Sequence, residues 1–130
     1  MDVLTEASIR SALSRFVQLV NARKLKEACE LFADDVYYEG RFGCIRGRKA
    51  ITQLYIEQAS NLGKGRISFE LVELRQYPAQ GDTVVATAIV ESVLEEGGTR
   101  NKFRTFLALV AENGKVRIAQ EIGLSPQTKN

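Results

Sequence analysis

Glu91 breaks an apolar run, between Ile89-Val90 and Val93-Leu94, and Glu121 stands among the apolar residues of the last such run. A carboxyl facing a low-dielectric cavity loses hydration, and a second carboxylate nearby repels its charge. One of the two is then driven toward a neutral pKa, which leaves a base and an acid in one site. Glu91 and Glu121 are therefore the candidate catalytic pair. The plain alternative is that both point to water, as glutamates of antiparallel strands generally do. Carboxylates carry this weight because the chain has no histidine. That absence removes Ser-His-Asp and Cys-His catalysis, the His-Glu-x-x-His zinc helix and histidine-based iron sites. With only two cysteines besides, neither a metal nor a cofactor is expected. Cys29 lies at helical spacing with Ala28 and Phe32 and reads as a small core residue. Cys44 reads as part of a loop or strand end. Asp34 and Asp35 are too few for a hard cation, which takes several more oxygen ligands, and read as a helix stop followed by a strand.

Three helices precede the strands that must carry these glutamates. Thr5 is a plausible N-cap, and Ile9, Leu13, Phe16, Val17 and Val20 recur at helical spacing, so a helix is expected over 6–21. A shorter one is expected over 25–33, with Leu25, Ala28, Cys29 and Phe32 inward. A third is expected over 48–61, facing inward through Ile51, Leu54, Tyr55 and Gln58. Beyond Gly63 the period falls from 3.6 to 2. Ile67, Phe69 and Leu71 alternate, Pro78 to Gly81 reads as a turn, and 83–94 is rich in β-branched and small residues. Glu96-Gly97-Gly98-Thr99 and Asn113-Gly114 are hairpin signals on either side of 102–111, and 116–122 closes the sheet. Helix, helix, short strand and helix, followed by hairpins, predicts an α+β fold. Three N-terminal helices pack on a strongly curved, mostly antiparallel sheet, a cystatin-like cone with a central pocket. One domain over 1–124 and a tail over 125–130 are expected.

The size fits one globular domain: 130 residues, 45% hydrophobic. Eighteen basic and sixteen acidic residues leave a formal charge of +2, so charge points to neither nucleic acid nor a membrane. No stretch is apolar enough to span a bilayer, and the first residues do not resemble a signal peptide. The expectation is a cytoplasmic protein. Gly63-Lys64-Gly65 follows a helix and precedes a strand, the reverse of a dinucleotide loop, and reads as a connector. Arg41, Arg46, Arg48 and Lys49 read as a solvated surface; an anion site at the third helix's start is the functional alternative.

Phe16 through Tyr55, with Phe32-Ala33-Asp34-Asp35 and Gly47-x-x-Ala50-Ile51, resembles the nuclear transport factor 2 superfamily, and the likeness continues to Asn113-Gly114-Lys115-Val116. Its enzymatic relatives include ketosteroid isomerase, limonene-epoxide hydrolase and polyketide cyclases. The isomerase pattern is not kept. Its helix-1 tyrosine appears as Phe16, its general base as Gly40 and its protonated acid as Phe106, and only its helix-3 tyrosine survives, as Tyr55. The chain is thus not expected to be a ketosteroid isomerase. The hydrolase resemblance implies Glu91 and Glu121 as the acid–base pair. Ile89 stands where its coupling arginine would be, and Arg104 on the next strand is a possible substitute.

The resemblance also implies a pocket lined by Phe16, Val20, Val36, Tyr38, Tyr55, Ile89, Arg104 and Phe106, mostly apolar, as small-molecule sites tend to be. The other reading of these residues is a filled core. The expected function is binding of a small apolar, ring-containing molecule, with hydrolase, cyclase or isomerase chemistry open. The alternative is a non-catalytic dimeric association module. Under either, a homodimer is expected through the convex sheet face, where Val84, Ala86, Ala88 and Val90 would form an apolar stripe.

Overall fold

The computed structural model describes residues 5–62, 65–77 and 84–124. The turn expected at 78–81, the glycine–lysine start of the 63–65 connector and the tail at 125–130 lie outside these residues.

Helix α1 (Glu6–Asn21) begins where expected. Thr5 Oγ1 accepts from the Ser8 N–H at 3.1 Å, and Ser8 Oγ accepts from the Thr5 N–H at 2.9 Å. The exchange satisfies two backbone donors that the first helical turn leaves open. Ile9, Leu13, Phe16 and Val20 form its buried stripe. Arg23, in the left-handed region at φ 65°, turns the chain into helix α2 (Leu25–Ala28).

The second helix is shorter than its apolar spacing predicts. After Ala28 the chain tightens into one 3₁₀ turn over Cys29–Leu31, and strand β1 (Phe32–Gly40) follows at once. Asp34 and Asp35 therefore lie inside the strand and do not end the helix. Leu25, Ala28, Cys29 and Phe32 suit a helix and an equally buried turn alike, so spacing alone could not separate them. What decides is pairing at a distance, since Phe32 aligns with Ile118 near the other end of the chain. Asp34 instead forms an ion pair with Arg48 at 2.7 Å, joining β1 to the start of α3 (Arg48–Asn61). Between them the chain forms β2 (Gly43–Arg46), a strand not expected from the sequence, which carries Cys44.

Strands β3 (Arg66–Gln76), β4 (Val84–Glu96), β5 (Thr99–Glu112) and β6 (Lys115–Leu124) form the antiparallel run that the alternation predicts. All six strands join one mixed sheet in the order β2-β1-β6-β5-β4-β3, with β1 parallel to β6. The fold is α+β, three helices on a six-stranded sheet.

Direction across β4 decides the site. Ala86, Ala88, Val90 and Ser92 are buried, whereas Thr87, Ile89, Glu91 and Val93 are only half-buried. The stripe expected on the open face is thus largely turned inward: Ala86, Ala88 and Val90 face the helices, and Val84, beyond a register shift, is exposed. Alternation specifies two faces but not which is covered, and a strand apolar on both sides gives no further clue. Two alanines suit the covered face because they let an overlying layer approach closely. No helix among the described residues is long and apolar enough to cross a membrane.

Asn21, the last residue of α1, fixes the roof to the sheet edge. Its side-chain NH₂ donates to the Phe69 carbonyl at 3.1 Å and its carbonyl accepts from the Phe69 N–H at 2.8 Å. The amide thus occupies backbone groups of an outermost strand. Asn21→Ala should lower stability by about 1–2 kcal/mol, measured by urea unfolding. Asn21→Asp keeps the acceptor but loses the donor, and should fall between the two.

Candidate functional site

A cavity of about 670 Å³, partly open to solvent, lies between the helices and the inner sheet face. Helix α1 contributes Val20, and α3 contributes Tyr55, Gln58 and Ala59. Ile67 and Phe69 come from β3, Ser92 and Leu94 from β4, Phe103 and Thr105 from β5, and Glu121 and Gly123 from β6. Tyr38 and Gly40 close the β1 side. Exposed residues, Arg23, Arg41, Phe42 and Glu96 among them, form the mouth.

Glu121 is the buried acid of this cavity, 7% exposed. Its Oε1 accepts from the Tyr55 hydroxyl at 2.7 Å. Loss of hydration pushes its pKa from the ordinary 4.5 up to about 7, against the opposing effect of the Tyr55 hydrogen bond. Near neutrality Glu121 is therefore split between acid and carboxylate. The Tyr55 phenol is held well above its usual range by burial and then by the Glu121 charge, so it stays protonated and keeps donating.

Tyr38 stands beside Glu121 on the neighbouring strand, in register with it. Burial first, and the Glu121 charge second, raise its pKa, while the Phe42 backbone N–H donates to its oxygen and lowers it. Gly40 makes room for the phenol, since a Cβ there would stand 2.7 Å from the Tyr38 hydroxyl. Cys29 sits deeper, buried, its thiol pushed up to about 11 by burial and further by Glu121, with Thr52 opposing through a hydrogen bond. It is a core thiol kept neutral.

The residues expected to form the site divide between the two faces. Glu121, Tyr38, Tyr55 and Val20 line the cavity. Phe16 and Val36 belong to the packed interior. The Phe16 ring meets Phe32, Tyr55 and Phe69 at centroid distances of 5.7, 6.5 and 6.4 Å, filling the space behind the cavity wall. Glu91, Ile89 and Phe106 are on the outer face. Register sets Glu91 opposite Arg104 and Ile89 opposite Phe106, one residue out of step with the inward Val90 and Leu107. Glu91 is ion-paired there with Arg104 at 3.4 Å and Lys102 at 3.9 Å. Arg104 borders the cavity, but its guanidinium is engaged by Glu91. The structure does not bring Glu91 and Glu121 together, because directly opposed pairs share a face and the two differ in parity. Among the described residues no group of three or more cysteine, aspartate or glutamate side chains is placed to share a metal ion.

Arg23, Arg41, Phe69, Ser92, Phe103 and Thr105 were not expected in the lining. Phe103 could have been found from Ser92, its partner across the hairpin, had the covered face been known. Arg23 and Arg41 sit in turns, where periodicity carries no direction.

A family profile described as SnoaL-like domain matches residues 13–119. The chain belongs to that family. No curated protein matches it. Among solved structures, an NTF2-like protein with a cystatin-like fold from Novosphingobium aromaticivorans is 22% identical, covering 90% of this chain and 79% of its own, with a TM-score of 0.70. The β subunit of benzoate 1,2-dioxygenase from Burkholderia mallei is 13% identical over 95% of this chain and 91% of its own, also at 0.70. A putative calcium/calmodulin-dependent protein kinase type II association domain from Thiobacillus denitrificans is 19% identical over 91% and 94%, at 0.69. At these identities the likeness is one of fold, a fold found in a dioxygenase subunit and an association domain alike.

Glu121 makes stability depend on pH in a defined direction. Its folded pKa lies above the unfolded value, so between about 4.5 and about 7 the native state holds the extra proton. Stability is full below that window and falls as pH rises through it, by on the order of 3 kcal/mol, then levels off. Urea unfolding at a series of pH values should show the fall, and Glu121→Gln should flatten it. Tyr55→Phe removes the hydrogen bond to the carboxylate and should move the Glu121 titration upward, followed by NMR of the labelled carboxyl carbon.

Proposed function

We propose that this SnoaL-like domain binds a small, largely apolar, ring-containing molecule in the cavity and exchanges a proton with it through Glu121. The observation that carries this reading is a single buried carboxyl at the cavity wall whose pKa stands near 7, held by Tyr55. A group balanced between its two forms at working pH can take a proton and return it, which is what general acid–base catalysis needs. Tyr38 supplies the complementary part. Its phenol can donate to an oxygen on which charge develops, while the neighbouring carboxylate removes a proton from the adjacent carbon.

The chemistry favoured is therefore proton transfer next to a carbonyl, of isomerase or cyclase type. Epoxide hydrolysis through paired carboxylates is disfavoured, since Glu91 lies across the sheet from Glu121. A purely associative role would need no hollow lined by an acid and two phenols, which argues for the ligand site. We also propose that two copies meet through the outer face. Ile89, Phe106 and Ile122 lie there in register, and the Glu91–Arg104 pair offers charges of both signs to its own symmetry mate.

A thermal-shift panel of cyclic ketones, terpenoids, steroids and aromatic compounds tests the first proposal. At least one class should raise the melting temperature, by the equivalent of ~3 kcal/mol at a hundredfold excess over Kd. Silence across the panel would defeat it. With a cyclic ketone that binds, NMR should detect hydrogen–deuterium exchange at the α-carbon. Glu121→Gln should slow that exchange by about 10²–10⁴-fold while binding persists. Light scattering should give twice the chain mass, and Ile89→Glu should return it to one.

A further inference from the structure

We infer that the ligand carries an anionic group, held at the cavity mouth by Arg23 and Arg41, with its ring directed inward toward Tyr55 and Phe69. The inference rests on the cavity being a ligand site and adds the ligand's chemical class.

Arg41 and Arg23 reach the mouth from separate turns, and both line the cavity. The Arg41 guanidinium carbon lies 5.0 Å from the Phe103 ring centroid and 5.3 Å from that of Phe42. Contact with two ring faces fixes a side chain that would otherwise sweep through solvent, and leaves its N–H donors unspent. Arg41 also acts electrostatically on the Tyr38 phenol inside, so its charge is felt within the cavity. Arg23 stands on a left-handed backbone at φ 65°, a conformation costly for a side chain of its type. Neither arginine forms an ion pair among the described residues, in contrast to Arg10, Arg48, Arg75 and Arg104.

The acids near the opening are placed apart from them. Glu39 borders the cavity, but its carboxylate turns to the Tyr37 hydroxyl at 2.6 Å, on the face of β1 opposite Tyr38, and Glu121 is buried away from the mouth. Glu96 is the other acid at the opening. Two guanidiniums that no carboxylate pairs among the described residues, over an apolar interior, are matched by a ring compound bearing a carboxylate or sulfonate. A planar carboxylate also suits the forked donors of arginine.

Two fluorescent probes sharing one ring system test this: anilinonaphthalene sulfonate, which is anionic, and phenylnaphthylamine, which is neutral. The sulfonate should bind about tenfold more tightly at low salt, and the advantage should shrink as ionic strength rises. Arg41→Gln and Arg23→Gln should each weaken the sulfonate several-fold and leave the neutral probe unchanged, while Arg41→Lys should retain part of the preference. Equal affinities for the two probes, or a preference indifferent to both arginine variants, would overturn the inference and leave the ligand site standing. Failure of both probes to bind, or binding that survives filling the cavity with Ala59→Trp, would overturn the ligand site and this inference together.

Discussion

The hydrogen bond from Tyr55 to Glu121 is the interaction on which the site depends. It spans the space between α3 and β6, joining the helical layer to the strand at the centre of the sheet. A carboxyl so buried is costly unless something meets it. Tyr55 meets it with one donor, enough to orient the group but not to hold it ionised. That partial compensation leaves Glu121 near neutrality, where a shell of several donors would have fixed it as a carboxylate. The same tyrosine packs against Phe16, Phe32 and Phe69, so the position of the acid is inherited from the aromatic core.

The rest of the architecture can be understood as support for that geometry. Asn21 fastens the end of α1 to β3, which keeps one wall of the cavity at a set distance from the opposite one. Asp34 and Arg48 tie β1 to the start of α3, so the strand bearing Tyr38 and the helix bearing Tyr55 move as neighbours. The exposed ion pair adds little energy by itself, but it acts where register slips between Phe32 and Tyr37, a place that backbone pairing does not secure.

The first and third helices and the hairpins at 97–98 and 113–114 were legible in the sequence because they rest on local signals. Thr5 before an apolar stripe, Gly97-Gly98 and Asn113-Gly114 each specify a structure within a few residues. Elements that depend on distant partners were not. β1 begins at Phe32 because β6 is there to receive it, and β2 exists because β1 offers an edge. Within the site, Glu121, Tyr38 and Tyr55 could be singled out as chemically distinctive residues among apolar neighbours. Glu91 was equally distinctive and lies on the opposite face. The sequence of β4 gives apolar residues at both parities, so only the contacts made by the folded chain distinguish Ser92 from Glu91. The mouth arginines were hidden for another reason, since turns have no period from which direction can be inferred.

Gly40 bears on where the Tyr38 phenol can stand. A methyl group there would meet the Tyr38 oxygen at 2.7 Å, so any side chain at 40 requires the end of that ring to move from its place beside Glu121. The volume that a missing side chain leaves free is the volume the phenol occupies.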